Sequence, residues 1–206
     1  MLKAKKCKVC RTLGQKMLWN TRCASGKCAL DRRHSRPGQH GQRMRQRSQY
    51  GLELTEKQKV RFYYLLREQQ LRNFAEQALQ SKEPAPTVLI RTLERKLGNV
   101  IWLAGYVPSK TTARQFIAHG HFLVNGHRIK SANYLVEPGD LIEIRPGSEK
   151  AEPLKDLADR TKRTQVPPWL KFDPQTLKTE VVRQPEPEEV QLPFNFGLII
   201  DFYSRH

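Results

Sequence analysis

The chain has 206 residues, enough for one large domain or two small ones. Lysine and arginine number 37 against 20 aspartate and glutamate residues, so the formal net charge is +17. A charge of this size favours a polyanionic partner, and nucleic acid is the expected one. No apolar run approaches the roughly 20 residues that span a bilayer, and the first residues lack the apolar stretch of a secretion signal. We therefore expect a soluble, cytoplasmic protein without a membrane partner.

Most of this charge lies in the first quarter of the chain. Residues 1–50 hold fourteen basic side chains and one acid, Asp31, which leaves only +4 for the remaining residues. This asymmetry predicts that the segment lies on phosphate. A disordered basic tail is the alternative, but four cysteines and several glycines favour an ordered, irregular loop.

After residue 50, helical spacing predicts two helices, separate or continuous, followed by shorter elements. A capping box of Thr55 with Gln58 predicts the start of the first helix, and a loop is predicted over 81–86. Further helices are predicted from Thr87 to Leu97, ended by Gly98, and over 100–103. A last one is predicted from Ser109 to His119, ended by Gly120. Residues 95–146 are thus predicted to form helices followed by a small antiparallel sheet.

Two turn signals support that sheet. Asn125-Gly126 lies between short apolar runs and predicts a hairpin, because both central residues of such a turn need positive φ. Pro138–Asp140 predicts a second turn between two strands. Farther along, residues 147–164 predict a helix, and VPPWLKFD and LKTEVVRQP predict strands. The final LIIDFY segment fits a helix or a strand equally well.

The cysteines predict a metal site. Two closely spaced pairs lie on either side of a loop, at Cys7, Cys10, Cys23 and Cys28. Four thiolates match tetrahedral zinc, with no open position for substrate, so the ion is expected to be structural and to replace a missing apolar core. An iron–sulfur cluster and free thiols are the alternatives, and so is a ligand set of Cys7, Cys10, His34 and His40.

Arginines and glycines follow the cysteines, and no acidic residue lies between Asp31 and Glu53. Arginine binds phosphate oxygens through its planar fork, and glycine lets the backbone approach a phosphate. The predicted RNA-binding residues of this segment are Arg32, Arg33, Arg36, Gly38, Gln39, His40, Gly41, Arg43, Arg45 and Arg47. Lys57, Lys59 and Arg72 of the following helices are further candidates. A solvated charge run is the alternative.

The helix and hairpin of residues 109–128 supply a second basic, polar face. Because the deep major groove of RNA is closed to a helix, this face is expected to recognise the shape of folded RNA through phosphates and 2′-hydroxyls. Its candidate residues are Ser109, Lys110, Arg114, Gln115, His119, Gly120, His121, Asn125, Gly126 and Arg128. The two histidines, taken alone, are typical of ordinary surface residues.

Residues 95–146 resemble the RNA-binding module named after ribosomal protein S4, through Ser-basic-x-x-Ala-Arg and His-Gly-His followed by Val-Asn-Gly. That module also occurs in RNA-modifying enzymes and synthetases. The cysteine array, ALDRR, PGQHG, the EKQK helix, PPWL and LIIDFYSR extend the resemblance, in order, to the small-subunit ribosomal protein S4 family across nearly the whole chain.

The resemblance implies an α+β fold: a mainly helical outer domain with an N-terminal zinc-binding loop region, and a small inserted α/β RNA-binding module. The implied divisions are 1–50 (basic and cysteine-rich), 51–94 (helical part of the outer domain), 95–155 (the module) and 156–206 (a tail packing back on the outer domain and ending in a helix).

The resemblance also implies a role. The implied role is that of a structural constituent of the small subunit of a bacterial-type ribosome, which binds the 5′ domain of small-subunit rRNA early and nucleates assembly. Protein S5 is the implied neighbour, near where messenger RNA enters, with a shared contribution to translational accuracy. A homo-oligomer is not expected.

This chain departs from the family pattern at two places. Lys96-Leu97-Gly98 stands where Arg-Leu-Asp is usual, so any contact of the acidic residue is absent, and Leu103 replaces a usual arginine. Two rival functions are an RNA-modifying enzyme that carries the module and a free, zinc-dependent repressor of messages. An enzyme would need a catalytic domain, and the chain shows no nucleophile with a base and orienting group, so we expect no catalysis.

Overall fold

The computed structural model describes residues 6–19, 23, 27–41, 46–149, 151–155, 157–161, 164–190 and 192–205. The chain forms two compact units. Unit 1 comprises Met1–Leu89 with Leu192–His206, and unit 2 comprises Ile90–Gln191. In the described part of the chain, no helix has the length and apolar character needed to cross a membrane.

Unit 1 is helical. Its helices are α1 (Lys6–Leu13), α2 (Ala29–Arg32), α3 (Gln49–Tyr63), α4 (Glu68–Leu79) and α10 (Phe196–Arg205), and α5 (Ala85–Glu94) continues from it into unit 2. The C-terminal segment that fitted either a helix or a strand is therefore a helix. It packs on α3 and α4.

The start of α3 differs from the prediction. Ser48 is the N-cap, and its side chain accepts a hydrogen bond from the backbone N–H of Gly51. Thr55 instead lies inside the helix, where its hydroxyl donates to the carbonyl oxygen of Gly51 at 2.7 Å. The predicted capping box is wrong because an earlier serine caps the helix. A break at Leu65, with φ of +55°, separates α3 from α4.

The N-terminal segment was predicted to be an irregular loop without a core, and this was wrong. It contains helix α1 and a small core in which Cys10, Met17 and Trp19 are buried beside Phe62. The indole Nε1 of Trp19 donates to the carbonyl oxygen of Phe62 at 2.6 Å, and the two rings meet edge to face at 5.7 Å. Apolar burial therefore contributes to order in this segment.

The described residues of unit 2 combine short helical segments with an antiparallel sheet. The helical segments are α6 (Leu97–Leu103), α7 (Lys110–His119), α8 (Glu152–Lys155), α9 (Leu157–Thr161) and a 3₁₀ helix (Pro187–Glu189). The strands are β1 (Phe122–Val124), β2 (His127–Arg128), β3 (Leu141–Ile144), β4 (Leu170–Asp173) and β5 (Lys178–Val181). They pair antiparallel in the order β2-β1-β3-β5-β4.

The local signals around α7 and the first hairpin were correct. Ser109 caps α7 by accepting from the N–H of Thr112, and Gly120 ends the helix with φ of +73°. Asn125 and Gly126 form the hairpin turn with φ values of +51° and +77°. The two strands predicted after residue 165 are β4 and β5.

Two other boundaries were wrong. Helix α5 begins at Ala85 rather than Thr87, and Gly98 lies within α6 instead of ending a helix. The N–H of Gly98 donates to the carbonyl oxygen of Ala132 at 3.0 Å, and a Cβ on Gly98 would lie 3.2 Å from that oxygen. The lack of a side chain at Gly98 thus lets α6 pack closely against the backbone at Ala132.

The second predicted turn is present, because the N–H of Asp140 donates to the carbonyl oxygen of Glu137 at 3.0 Å, but the described residues just before it form no strand. Leu135 forms an isolated bridge with Lys96, while β3 pairs with β1 and β5. Because β4 and β5 extend the module's sheet, the structure divides the chain differently from the predicted tail of 156–206, and only Leu192–His206 returns to unit 1.

Candidate nucleic-acid interface

The C-terminal end of α7 gathers cationic side chains in unit 2. Arg128 extends from β2, and its Nη2 donates to the carbonyl oxygen of His119 at 2.7 Å. The rings of His119 and His121 lie 6.1 Å apart. A cation at a helix C-terminus is stabilised by the free carbonyl groups there. The guanidinium of Arg128 is therefore held in a defined position on an exposed edge.

His121 lies at the centre of this cluster. Its ring packs on Phe116 at 4.7 Å, and its Nδ1 lies 3.0 Å from the hydroxyl of buried Ser148. Burial lowers the pKa of His121, and the charges of Arg145, His119 and Arg128 lower it further. A nearby phosphate would offset that repulsion, so the cluster is suited to an anion.

The hairpin turn is organised by Asn125. Its Nδ2 donates to Asp140 at 2.7 Å, and its Oδ1 accepts from the N–H of Leu141 at 2.8 Å. The side chain therefore ties the hairpin turn to the start of β3, and Gly126 is exposed at the tip of the turn. Contact of these two residues with RNA stays a prediction.

Helix α7 exposes fewer of the predicted RNA-binding side chains at its surface than expected. Ser109 and Lys110 are each 3% exposed, so their predicted place on the RNA-facing surface is wrong. The Nζ of Lys110 lies 4.4 Å from the centre of the Trp102 ring, and burial lowers the pKa of Lys110 well below its usual range. Arg114 is half-buried and Gln115 is exposed.

Lys96 belongs to the same buried polar cluster. Burial and the charge of Arg114 lower its pKa to about 7. Glu94 is also buried, and its carboxylate accepts from the side-chain amide of Asn99 at 2.9 Å. These groups support α6 and α7 from inside the module.

The three candidates from α3 and α4 form ion pairs. Lys57 is 6% exposed and its Nζ lies 2.6 Å from Glu68, so RNA contact by Lys57 also stays a prediction. Lys59 pairs with Glu56 and Arg72 with Glu76, on the same helices. RNA contact by Lys59 and Arg72 stays a prediction.

The arginine segment of unit 1 is largely exposed. Among the described residues of the predicted set, Gly41 is half-buried and the others are exposed; the exposed ones before Gly41 are Arg32, Arg33, Arg36, Gly38, Gln39 and His40. Arg47 is also exposed, whereas Arg43 and Arg45 lie outside the described residues.

Similarity to known proteins covers almost all of the chain. Residues 1–94 match the Ribosomal protein S4/S9 N-terminal domain, and residues 95–142 match the S4 domain. The small ribosomal subunit protein uS4 of Kosmotoga olearia is 40% identical over 97% of this chain and 96% of its own length. The uS4 of Thermodesulfovibrio yellowstonii is 42% identical and the uS4A of Symbiobacterium thermophilum 40%, with the same coverage.

The chain belongs to the uS4 family. The family resemblance found in the sequence is thus confirmed. The matched S4 domain contains α6, α7, β1, β2 and the first two residues of β3, and so includes His119, His121 and Arg128. Arg145 follows the matched range. The match to the N-terminal domain contains the cysteines and the arginine segment.

None of the four cysteines of this uS4 protein forms a disulfide in the described part of the chain, and Cys10 and Cys28 are buried. Burial raises the pKa of the Cys10 thiol, and interactions with Cys23, Cys28 and Cys7 add to the rise. Cys10 therefore interacts electrostatically with each of the other three cysteines. Within the described ranges, no three His, Cys, Asp or Glu side chains are arranged to hold a metal ion.

Sequence reasoning missed Arg145 and Arg11 of this uS4 protein. Arg145 follows β3, and its N–H donates to the carbonyl oxygen of His121 at 2.8 Å. The β1–β3 register places it there, so no local signal identifies it. Arg11 lies on α1 and donates to two carbonyl groups that follow α2, at Ser35 and Arg36.

Proposed function

We propose that this chain is a structural protein of the small subunit of a bacterial-type ribosome in the cytoplasm. Its task is to bind the 5′ domain of small-subunit rRNA early and to nucleate assembly. The observation that carries the proposal is full-length similarity to relatives named small ribosomal subunit protein uS4, at about 40% identity over 97% of the chain. The function is binding rather than catalysis.

The charges of the described residues support this proposal. His119, His121, Arg128 and Arg145 converge at one end of α7, where an anion would offset the positive charges that lower the pKa of His121. Most of the predicted arginine-segment residues that the structure describes are exposed in unit 1. Each unit therefore offers its own cationic surface to a folded polyanion.

Salt-dependent RNA binding tests the function. Filter binding of the full chain to a transcribed 5′ domain should show log K falling with log salt by about 0.7 to 0.9 for each phosphate contacted. The doubly substituted Arg128→Gln, Arg145→Gln protein should bind more weakly and show a shallower slope. A matched control with the same charge change, Lys82→Gln with Lys171→Gln, should retain the wild-type slope.

Sedimentation supplies a second test. The protein should travel with small subunits in moderate salt, whereas a free messenger regulator should remain near the top of the gradient. Absence from washed small subunits, or a salt-independent affinity for the 5′ domain, would contradict the proposal.

We further propose that this chain lies beside protein S5, near the place where messenger RNA enters the small subunit. The two proteins would together contribute to the accuracy of translation. Cross-linking of assembled subunits should join this chain to S5. If no cross-link forms in subunits that contain both proteins, the proposed contact with S5 is wrong.

We also propose one structural zinc ion per chain, held by Cys7, Cys10, Cys23 and Cys28. Support comes from the spacing of the cysteines, with Cys7 and Cys10 on α1 and Cys28 at the start of α2, and from the electrostatic interaction of Cys10 with the other three. When bound, zinc supplies four bonds that cross-link α1 to the start of α2. The small core around Met17 and Trp19 would share that stabilising role.

A further inference from the structure

A concave pocket of about 330 Å³ lies between α1 and α2 in unit 1. The described residues that line it are Arg11, Ala29, Arg32 and Arg33. Three arginine residues therefore line a space whose volume is at the lower end of the range for small-ligand sites. Such a lining disfavours both a cation and an apolar ligand.

Arg11 is held in place by neutral partners. Its Nε donates to the carbonyl oxygen of Ser35 at 3.0 Å, and its Nη2 to that of Arg36 at 3.3 Å. These carbonyl groups orient the guanidinium but leave its positive charge uncompensated. A free N–H edge of an oriented guanidinium is a prepared donor for an oxyanion.

The backbone of the PGQHG turn fixes one of those acceptors. A Cβ on Gly41 would lie 1.9 Å from the carbonyl oxygen of Arg36, so only glycine allows this approach. The N–H of Gly41 donates to the carbonyl oxygen of Gly38 at 3.3 Å and closes the turn. The turn and Arg11 therefore meet at the same carbonyl group.

Arg32 and Arg33 stand at the end of α2 with their charges available. Neither side chain forms a hydrogen bond or ion pair with another residue in the part of the chain that the structure describes. The nearest acid in sequence, Asp31, is paired with Lys16 at 2.7 Å. The only carboxylate of the first fifty residues is thus already engaged.

We propose that this pocket, defined by Arg11, Arg32 and Arg33, binds one backbone phosphate of the ribosomal RNA. The inference rests on the proposed function and adds Arg11 and a defined cavity to it. Planar guanidinium forks match phosphate oxygens, and the volume accommodates one nucleotide unit rather than a helix. Free inorganic phosphate shares this chemistry, and the experiment separates the two sources.

Three variants of the full chain test the pocket against the 5′ domain RNA. Arg32→Gln with Arg33→Gln removes two charges without breaking a contact inside the described chain. Arg11→Gln removes the third charge, and Arg11→Lys keeps the charge but loses the fork. The double variant should weaken binding about tenfold or more and lower the salt slope by roughly 0.7 to 0.9. The Lys82→Gln, Lys171→Gln protein is the matched control.

Phosphate-ethylation interference locates the contact. Ethylation of one RNA phosphate should weaken binding of the wild type, and should have no effect on the double variant, which has already lost that contact. Arg11→Lys should fall between wild type and Arg11→Gln. Circular dichroism of each variant establishes that it is folded.

The outcomes are distinct. If the wild type binds the RNA and the pocket variants match it in affinity and slope, the pocket proposal is wrong while the proposed function stands. If the wild type does not bind, both fail. Phosphorus NMR with inorganic phosphate is the last measurement. Suppose that the wild type broadens the phosphate signal, that the double variant does not, and that the double variant still binds RNA as the wild type does. The pocket would then bind a free anion, and the RNA assignment would be wrong.

Discussion

Gly120 and Arg128 occupy adjoining space at the end of helix α7. A Cβ added to Gly120 would lie 1.9 Å from the Nε of Arg128, and Nη2 of that arginine donates to the carbonyl oxygen of His119 at 2.7 Å. Gly120 also has φ of +73°, a conformation that L side chains rarely adopt. One glycine thus ends the helix and makes room for the arginine over its end.

Gly120→Ala should destabilise the chain and displace Arg128. The left-handed conformation costs a non-glycine residue about 1 to 2 kcal/mol, and the methyl group expels the guanidinium from the carbonyl of His119. Urea unfolding should show that loss, and filter binding should show reduced affinity for rRNA. Arg128→Gln is the control: its affinity should fall similarly, with stability changed by no more than about 0.5 kcal/mol. Wild-type stability of Gly120→Ala would contradict the steric argument.

Tyr106→Phe should weaken unit 2. The buried hydroxyl of Tyr106 donates to the carbonyl oxygen of Leu177 at 2.9 Å and accepts from Thr179 at 3.0 Å. Its loss leaves buried groups unsatisfied, at a cost of about 1 to 3 kcal/mol in the free energy of unfolding. Tyr134→Phe, at an exposed tyrosine, should change that free energy by less than about 0.5 kcal/mol. Equal effects of the two substitutions would refute this role.

Glu68 should make unit 1 sensitive to acid. Burial alone would raise the pKa of Glu68, but hydrogen bonds from Lys57 and Tyr203 outweigh burial and lower the pKa from its ordinary 4.5. The unfolded chain therefore binds the proton first as pH falls. The stability from Glu68 is present above about pH 4.5 and is lost as pH falls through the lower folded pKa.

Glu68→Gln should accordingly lower the melting temperature at pH 7, and the difference from wild type should shrink as pH falls below 4.5. Thermal unfolding followed by circular dichroism across that range measures the effect. Glu188→Gln, at an exposed carboxylate, is the matched control and should stay close to wild type throughout. A difference between Glu68→Gln and wild type that is constant with pH would exclude the linkage.

Purified protein should contain about one zinc ion per chain. Chelation or Cys7→Ser should increase protease cleavage within the first fifty residues and leave unit 2 protected, because the metal cross-links only the N-terminal segment. His34→Gln should retain the metal if the four cysteines are the ligands. Protein without metal that is still fully protected from protease in that segment would overturn the zinc proposal.

Predictions from the sequence succeeded where a short stretch of chain sets its own conformation. Ser109 caps α7 and Gly120 ends it, and Asn125-Gly126 makes the hairpin turn, because these residue types satisfy a local backbone demand. The capping box at Thr55 failed because a competing cap, Ser48, lies seven residues earlier. The C-terminal segment was undecided until its contacts with α3 and α4 were known.

The sequence by itself determined the family, the charge distribution and the main turns and caps, since each is written in residue types and short spacings. Tertiary structure alone decided which cations are available. Lys57 and Lys110 are buried beside aromatic rings, whereas Arg32 and Arg33 stay exposed at a pocket. The difference is physical: charge belongs to a residue, but its desolvation and its partners depend on segments far away in the chain.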